Sequence, residues 1–301
     1  MGINRFGAVA FDPGAMPFEP LDISAAEIPT VSRSRQQSSD DMLALEGITL
    51  SFGGVTALAD VDLKVRKGDI QAIIGPNGAG KSSVLNVISG LYRPDRGRVV
   101  ISGETYVQVP TERLGRLGIA RTFQNLALFK RLTVIENVMT GCVVQTRSTF
   151  IEQILGLRRS RREEDEARER AKAVIAFFDL HAVRNRQAGT LPYGMQKRVE
   201  LARALVSGPK ILLLDEPLAG MTAAEKQEMS GFIRAARDQY QTTVVLIEHD
   251  IGVVLGLSDR VAVLDYGRKI AEGTPKEVRA NQAVIDAYLG VAHETAELGP
   301  V

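Results

Sequence analysis

The chain has 301 residues, 45% of them apolar, with 37 Lys and Arg against 36 Asp and Glu, one cysteine and no tryptophan. This length predicts about two domains, or one large α/β unit with an embedded subdomain. The apolar share excludes disorder throughout, the balanced charge excludes a general attraction to nucleic acid or anionic lipid, and the single Cys142 excludes an intrachain disulfide framework.

The first 41 residues differ from those that follow. They hold four of the twelve prolines and a polar run without periodicity, which predicts a flexible leader. The alternative is a leader docked on the domain through Phe6, Phe11 and Phe18. No apolar run approaches the ~20 residues that a membrane-spanning helix needs, so we expect a soluble, cytoplasmic chain.

The next segment predicts strands followed by a helix. Short strands are expected at Leu43–Phe52 and Val61–Val65, and the apolar run Ile70–Ile74 has strand length. A glycine-rich turn follows, and then Ser82–Ser89 has helical apolar spacing. Residues 111–208 are predicted to be mostly helical.

The C-terminal part alternates strand and helix patterns, which is typical of a parallel sheet covered by helices. The alternating segments are Ile211–Leu214, Ala223–Tyr240, Thr243–Ile247, Ile251–Leu257 and Val261–Leu264. A hairpin turn is expected at Tyr266–Arg268, and short helices at Pro275–Arg279 and Ala283–Leu289.

The glycine-rich turn fits the phosphate-binding pattern G-x-x-x-x-G-K-[ST] at every fixed position, between a strand and a helix. Its glycines allow backbone N–H groups to point at phosphates, and the helix N-terminus faces the same charge. Lys81 can reach the β- and γ-phosphates, and the Ser82 hydroxyl can bind Mg²⁺. The alternative is a glycine-rich turn with an incidental lysine. The expected nucleotide-binding residues are Gly75, Pro76, Asn77, Gly78, Ala79, Gly80, Lys81, Ser82 and Ser83.

Three polar residues follow two apolar strand patterns. The strand Ile211–Leu214 leads into Asp215 and Glu216, and Val244–Ile247 leads toward His249. Carboxyl ends of parallel strands meet at one edge of a sheet. Asp215 would therefore hold Mg²⁺, Glu216 would polarise an attacking water, and His249 would hydrogen-bond the γ-phosphate or the water. A structural acid or histidine at a strand end is the alternative for each.

These motifs together resemble an ATP-binding-cassette (ABC) ATPase. The resemblance covers almost everything except the leader and the last residues. The segments that carry it, in chain order, are Gly75–Ser82, Arg121–Gln124, Leu191–Gln196 running into Arg198–Leu205, Asp215–Pro217 and Glu248–Asp250.

The resemblance implies an α/β fold: a P-loop NTPase core with a mainly parallel sheet, an antiparallel β subdomain and an inserted helical subdomain. Residues 42–290 would form the ATPase domain, residues 125–208 its helical subdomain, residues 1–41 the leader and residues 291–301 a tail. ATP and Mg²⁺ are the implied substrate and cofactor, and ATP hydrolysis coupled to transmembrane transport the implied activity.

The resemblance also implies residue roles. Gln124 would sense the γ-phosphate and Mg²⁺, sharing the metal with Ser82 and Asp215. Phe52 would stack on adenine, although a core position for this ring is the alternative. The segment that resembles the family signature, here called the signature segment, would complete the ATP site of the opposite subunit. It consists of Leu191, Pro192, Tyr193, Gly194, Met195 and Gln196.

The implied assembly is a head-to-tail dimer with a second ABC ATPase subunit, a paralogue or another copy. Two integral membrane permease subunits and, indirectly, a solute-binding protein would complete it, without nucleic acid. The chain would then lie peripherally on the cytoplasmic face of the bacterial inner membrane.

Three positions, two in the signature segment and one in the loop after Pro217, depart from the usual family pattern. Pro192 and Tyr193 replace the serine and first glycine of Leu-Ser-Gly-Gly-Gln, so Gly194 and the following helix N-terminus must carry the phosphate contact. Thr222 stands where an aspartate is usual. These departures and the ending Ala287–Gly290 resemble the ATPases of branched-chain amino-acid importers.

Other classes remain open from the sequence. The ATPases of urea import, of other small-solute import and of lipopolysaccharide export share the overall form. A soluble ABC ATPase acting on DNA or ribosomes often has two cassettes or a long coiled coil, and neither is evident here. A small-molecule kinase would need neither the signature segment nor His249.

Overall fold

The computed structural model describes residues 40–122, 126–143 and 158–289. The leader apart from its last two residues, the tail and Gln124 therefore lie outside the described residues. Within the described ranges, none of the helices combines the length and the apolar character that crossing a membrane requires.

An antiparallel sheet forms the first layer. Its strands stand in the order β2-β1-β4-β5, and their bounds are β1 Asp41–Phe52, β2 Val55–Arg66, β4 Arg96–Ile101 and β5 Glu104–Tyr106. Strand β2 alternates buried and exposed residues from Val61 to Arg66, as expected of a sheet with one buried face. The predicted strand Val61–Val65 is the inner part of this longer strand.

The second sheet is mainly parallel and has the order β10-β9-β3-β8-β7-β6. Only β10 runs antiparallel, as the return strand of a hairpin from β9. The bounds are β3 Ile70–Ile74, β6 Ile119–Arg121, β7 Ile211–Asp215, β8 Thr243–Ile247, β9 Arg260–Asp265 and β10 Arg268–Gly273.

Strands β3, β7 and β8 are buried at every residue, because a parallel sheet has both faces covered. One face packs against the core that includes Val61, Val65 and Leu85, and the other against a core that includes Phe178 and Leu201. The carboxyl ends of these central strands carry the polar residues discussed below.

Most of the helices lie between strands in chain order, and the last two follow the final strand. Their bounds are α1 Lys81–Ile88, α2 Val134–Thr140, α3 Arg158–Phe177, α4 Tyr193–Leu205, α5 Ala223–Tyr240, α6 Ile251–Leu257, α7 Pro275–Arg279 and α8 Gln282–Leu289. Single 3-10 turns stand at Thr111–Arg113, His181–Val183 and Ala188–Thr190.

The expectation of mostly helix over residues 111–208 was wrong at one point. Residues Ile119–Arg121 form β6, the edge strand beside β7. Three residues are too few for strand periodicity to show, and this strand exists because Ile119 pairs with Ile211 and Arg121 with Leu213. The fold is α/β, with one mainly parallel and one antiparallel sheet, as expected.

Candidate nucleotide site

The phosphate loop connects β3 to α1 and is shaped by close backbone contacts. A Cβ atom at Gly75 would stand 2.1 Å from the Leu264 carbonyl oxygen, and one at Gly80 would stand 2.6 Å from the Ala57 carbonyl oxygen. Gly80 also has φ +95°, which side chains disfavour. The two fixed glycines of the pattern are therefore required by the surrounding backbone.

Lys81 is the first residue of α1, and its ammonium group turns back into the loop. Its Nζ donates to the carbonyl oxygens of Gly75 and Pro76, at 2.8 Å each. Burial lowers the pKa of Lys81, and the carboxylates of Glu216 and Asp215 oppose this lowering. The two acids predicted from the sequence therefore lie near the loop lysine. Ser82 and Ser83 occupy the next two positions of the helix.

Asp215 is the last residue of β7 and is buried. Its Oδ2 accepts a hydrogen bond of 3.2 Å from Arg121 Nη2, while Arg121 Nη1 donates to Ser89 Oγ at 2.6 Å. Burial raises the pKa of Asp215, and the Arg121 guanidinium opposes that shift. Arg121 therefore joins the metal-ligand candidate to the end of α1. Sequence reasoning gave Arg121 no role, because its partner Asp215 is 94 positions away in the sequence.

Glu216 leaves the strand in a left-handed conformation, with φ +48°, and its N–H donates to the Ile247 carbonyl at 3.0 Å. His249 Nδ1 lies 4.0 Å from Glu216 Oε2. The structure thus brings together the two residues that were predicted to act on the attacking water.

Glu248 supports the loop that follows Glu216. It is buried, and its Oε1 accepts a hydrogen bond of 2.8 Å from the Leu218 N–H. Burial raises the pKa of Glu248, and the hydrogen bond from Leu218 opposes the shift. Sequence reasoning included Glu248 in a motif but missed this support of the loop that follows Glu216.

The signature segment leads into α4. Pro192 is the N-cap residue of the helix, and Gln196 Nε2 donates to the Leu191 carbonyl at 2.7 Å. Leu191 is buried, whereas Tyr193 is 43% exposed. Met195 packs against the core formed by the parallel sheet and its helices. The helix therefore presents its N-terminus next to an exposed aromatic ring.

Phe52, the last residue of β1, is 46% exposed. Its ring meets that of Tyr92 edge to face, with centroids 5.0 Å apart. This exposure is unlike that of a core residue, and Tyr92 is a neighbour that sequence reasoning did not select. Gln124 lies outside the described residues, but Thr122, two residues before it, donates its N–H to the Leu213 carbonyl.

The sequence of the chain also matches known protein families. The sequence family described as "ABC transporter" matches residues 58–219, more than half of the chain. The chain belongs to this family. A second family, described as "Branched-chain amino acid ATP-binding cassette transporter", matches residues 268–294. As a member of the ABC transporter family, the chain is an ATP-binding cassette ATPase coupled to transport.

Similar proteins cover most of the cassette. The chain is 41% identical over 254 residues to the high-affinity branched-chain amino acid transport ATP-binding protein LivG of Salmonella typhimurium, covering 84% of the chain and 100% of the relative. It is 40% identical, with the same coverage, to BraF of Pseudomonas aeruginosa, which has the same description.

Solved structures extend the comparison. The ADP conformation of an ATP-binding cassette of an ABC transporter superposes with a TM-score of 0.73 at 33% identity, covering 83% of this chain and 99% of that one. A dimeric cassette in a post-hydrolysis state, bound to ADP and Pi, superposes with a TM-score of 0.66 at 27% identity, covering 78% and 99%. Cassettes of this family bind nucleotide and work as dimers with transmembrane permease subunits.

Proposed function

We propose that the chain is the energy-coupling ATPase subunit of an importer for branched-chain amino acids. The observation that carries the proposal is the identity of about 40% to LivG and BraF over their whole lengths. The match of residues 268–294 to a branched-chain cassette family supports the same solute class. The chain would act peripherally, at the cytoplasmic face of the bacterial inner membrane.

ATP would bind with its phosphates in the loop Gly75–Ser83. Backbone N–H groups and the α1 N-terminus supply the fixed positive ends of dipoles. The Lys81 ammonium, now held by the Gly75 and Pro76 carbonyls, would exchange those partners for β- and γ-phosphate oxygens. Phe52 offers an exposed ring on which adenine would stack.

Mg²⁺ would be held by the Ser82 hydroxyl, the Asp215 carboxylate and Gln124. The fit is chemically sound, because Mg²⁺ prefers a few hard oxygen donors together with phosphates and water. Asp215 supplies such an oxygen, and the Arg121 hydrogen bond orients it. When bound, the ion would neutralise charge that develops on the phosphates.

Glu216 would act as the general base. Its carboxylate accepts a proton from water while the water oxygen forms a bond to the γ-phosphorus and the bond to the bridging oxygen of ADP breaks. ADP and inorganic phosphate are the products. His249, 4.0 Å from Glu216 Oε2, would hydrogen-bond the γ-phosphate or the water and keep the carboxylate in place.

The signature segment would complete the opposite site in a head-to-tail dimer with a second cassette, either a paralogue or another copy. A dimeric cassette among the similar structures supports this arrangement. Two permease subunits would convert closure of the dimer into a change of access, and a solute-binding protein would deliver the amino acid to them.

We further infer that residues 42–290 form the ATPase domain and that residues 125–208 include its helical subdomain. Helices α2, α3 and α4 all fall within the second range. Residues 1–41 would be the leader and residues 291–301 the tail.

The test is capture followed by transport. The tagged Glu216→Gln chain, with ATP to hold the closed state, is purified from detergent-solubilised native membranes, and the partners are identified by mass spectrometry. The wild-type complex is then placed in proteoliposomes, and uptake of radiolabelled leucine, valine and urea is compared. We expect ATP-dependent uptake of leucine and valine, which the Glu216→Gln complex lacks.

Two results would contradict the proposal. Uptake of urea alone would show that the chain serves an importer, but one for a different class of solute. Recovery of the chain with ribosomes or DNA-bound proteins, and without permease subunits, would remove the transport role.

A further inference from the structure

The first turn of α4 packs against the loop that follows Glu216, here called the 216–222 loop (Glu216–Thr222). The Tyr193 ring covers Gly220: a Cβ atom at Gly220 would stand 3.2 Å from Cε1 of the ring and 3.5 Å from its hydroxyl oxygen. Gly220 has φ +75°. The tyrosine at this signature position therefore lies on the backbone of the 216–222 loop of the same chain.

A second contact lies one residue further along. A Cβ atom at Gly194 would stand 2.4 Å from Glu225 Oε1, so the backbone of α4 lies directly against this carboxylate. Glu225 is fixed by a capping box with Thr222, whose N–H donates to Glu225 Oε2 at 2.9 Å and whose hydroxyl donates to the same oxygen at 2.8 Å. The end of the 216–222 loop is thus tied to α4 as well.

A third contact extends the pairing of the two helices. Arg198 of α4 forms an ion pair with Glu228 of α5, and its guanidinium lies 5.1 Å from the centroid of the Phe232 ring. Together the three contacts run from the start of α4 along the first turns of α5.

Two of the three departures from the usual family pattern, Tyr193 and Thr222, meet at this interface. Tyr193 supplies the ring that covers Gly220, and Thr222 supplies the cap that places Glu225 on Gly194. A glycine at position 193 would leave Gly220 without this cover. The two unusual residues therefore act on one interface, between α4 and the 216–222 loop.

We propose that Tyr193 is a positioning residue that fixes the 216–222 loop, and with it Glu216, on the signature segment. The inference rests on the proposed function, in which Glu216 serves the ATP site of its own chain and the signature segment serves the opposite site. The contact then joins the two sites within one subunit. Closure against the partner's nucleotide sets the position of Glu216 in the subunit's own site.

The first test uses the isolated full chain. Inside the loop, the Ala219 N–H donates to the Glu216 carbonyl and the Met221 N–H to the Leu218 carbonyl. Hydrogen–deuterium exchange of these two amides is compared between wild type and Tyr193→Gly. We expect about three- to tenfold faster exchange in the variant, with unchanged exchange in β3. Unchanged exchange of the loop amides, or a rise throughout the chain, would overturn the proposal.

The second test separates the contact from backbone strain. Gly220→Ala adds a methyl group at φ +75° against the Tyr193 ring, whereas Gly208→Ala adds one at φ +61° with nothing within 4 Å. Each is combined with Tyr193→Gly in a double-mutant cycle on kcat of the assembled ATPase. We expect Gly220→Ala to lower kcat about threefold or more in wild type and much less in Tyr193→Gly. The Gly208→Ala effect should be equal in both. Additive effects for both pairs would reject the positioning role.

A third test measures the KM for ATP and the Hill coefficient of ATP hydrolysis. Tyr193→Gly should lower kcat and the Hill coefficient while leaving the KM unchanged. A raised KM with unchanged kcat would instead mean that Tyr193 contributes only to nucleotide binding. Failure of the proposed function would appear as loss of solute uptake in wild type, whereas the exchange of the loop amides in the isolated chain would not depend on it.

Discussion

The phosphate loop and the signature segment would face the same nucleotide in a dimer, but they are built in different ways. The phosphate loop is shaped by the backbone: Gly75 and Gly80 leave no room for a side chain beside the Leu264 and Ala57 carbonyls. The signature segment is held by side chains, with Tyr193 on Gly220 and Glu225 against Gly194.

This difference explains how each segment relates to the family pattern. A loop fixed by backbone contacts tolerates only glycine at its closest approaches, so its sequence pattern is kept in full. A segment fixed by side chains from another element can change if its partner changes too. Tyr193 and Thr222 are two such departures, and both lie at the interface between α4 and the 216–222 loop.

Replacing the proposed base should have the largest effect. Glu216→Gln keeps the size of the side chain but removes its ability to accept a proton, so turnover should fall by about 10²–10⁴ while ATP binding persists. Phosphate release measures the turnover, and titration with a fluorescent ATP analogue measures the ATP affinity separately. Glu112→Gln, at an exposed position, is the matched control, and equal turnover in Glu216→Gln would remove the base from its role.

The next prediction concerns the backbone of the phosphate loop. Gly75→Ala forces a methyl group to within 2.1 Å of the Leu264 carbonyl oxygen, so the free energy of unfolding should fall by about 3 kcal/mol. Gly78→Ala has open space, although φ is +81°, and should cost only about 1 kcal/mol. Urea unfolding of both variants provides the measurement. Equal losses would mean that the loop is not shaped by this contact.

A smaller change is expected for the loop lysine. Lys81→Ala removes an ammonium group whose charged hydrogen bonds to phosphate contribute about 1.5–3 kcal/mol, so ATP affinity should weaken about 10- to 100-fold. The control is Lys64→Ala on an exposed position of β2. Isothermal titration calorimetry measures both variants, and unchanged affinity in Lys81→Ala would contradict the phosphate-loop interpretation.

Much of the fold and of the candidate site could be predicted from the sequence. The strand Ile70–Ile74 and the helix Ala223–Tyr240 were predicted at their observed bounds, because a continuous apolar run and a capped periodic segment are local signals. The grouping of Asp215, Glu216 and His249 followed from the rule that parallel strands deliver their carboxyl ends to one edge.

The parts that were missed depend on contacts distant in sequence. Arg121 reaches Asp215 across 94 positions, and Glu248 supports Leu218 across 30. Tyr193 contacts Gly220 only because α4 and α5 pack together. No local pattern reports such pairs, since each residue taken alone fits a surface helix, a strand end or a turn.

The smallest effect is expected where the signature departs most from the usual pattern. Pro192 caps α4 without a side-chain hydrogen bond. In Pro192→Ser, a new N-cap hydroxyl would stabilise the helix by about 1 kcal/mol, while loss of the proline ring would destabilise the fold by about 0.4–1 kcal/mol.

These two terms nearly cancel, so the stability of Pro192→Ser should stay close to that of wild type. Turnover should also be equal or slightly higher, because Gly194 and the α4 N-terminus would carry the proposed phosphate contact in wild type and in Pro192→Ser alike. Pro192→Ala, which has neither ring nor hydroxyl, separates the contributions: it should lose stability without gaining activity. Complete loss of turnover in a well-folded Pro192→Ser protein would show that the ring itself is required, and that the signature segment depends on the rigidity of its cap as well as on the contact between Tyr193 and Gly220.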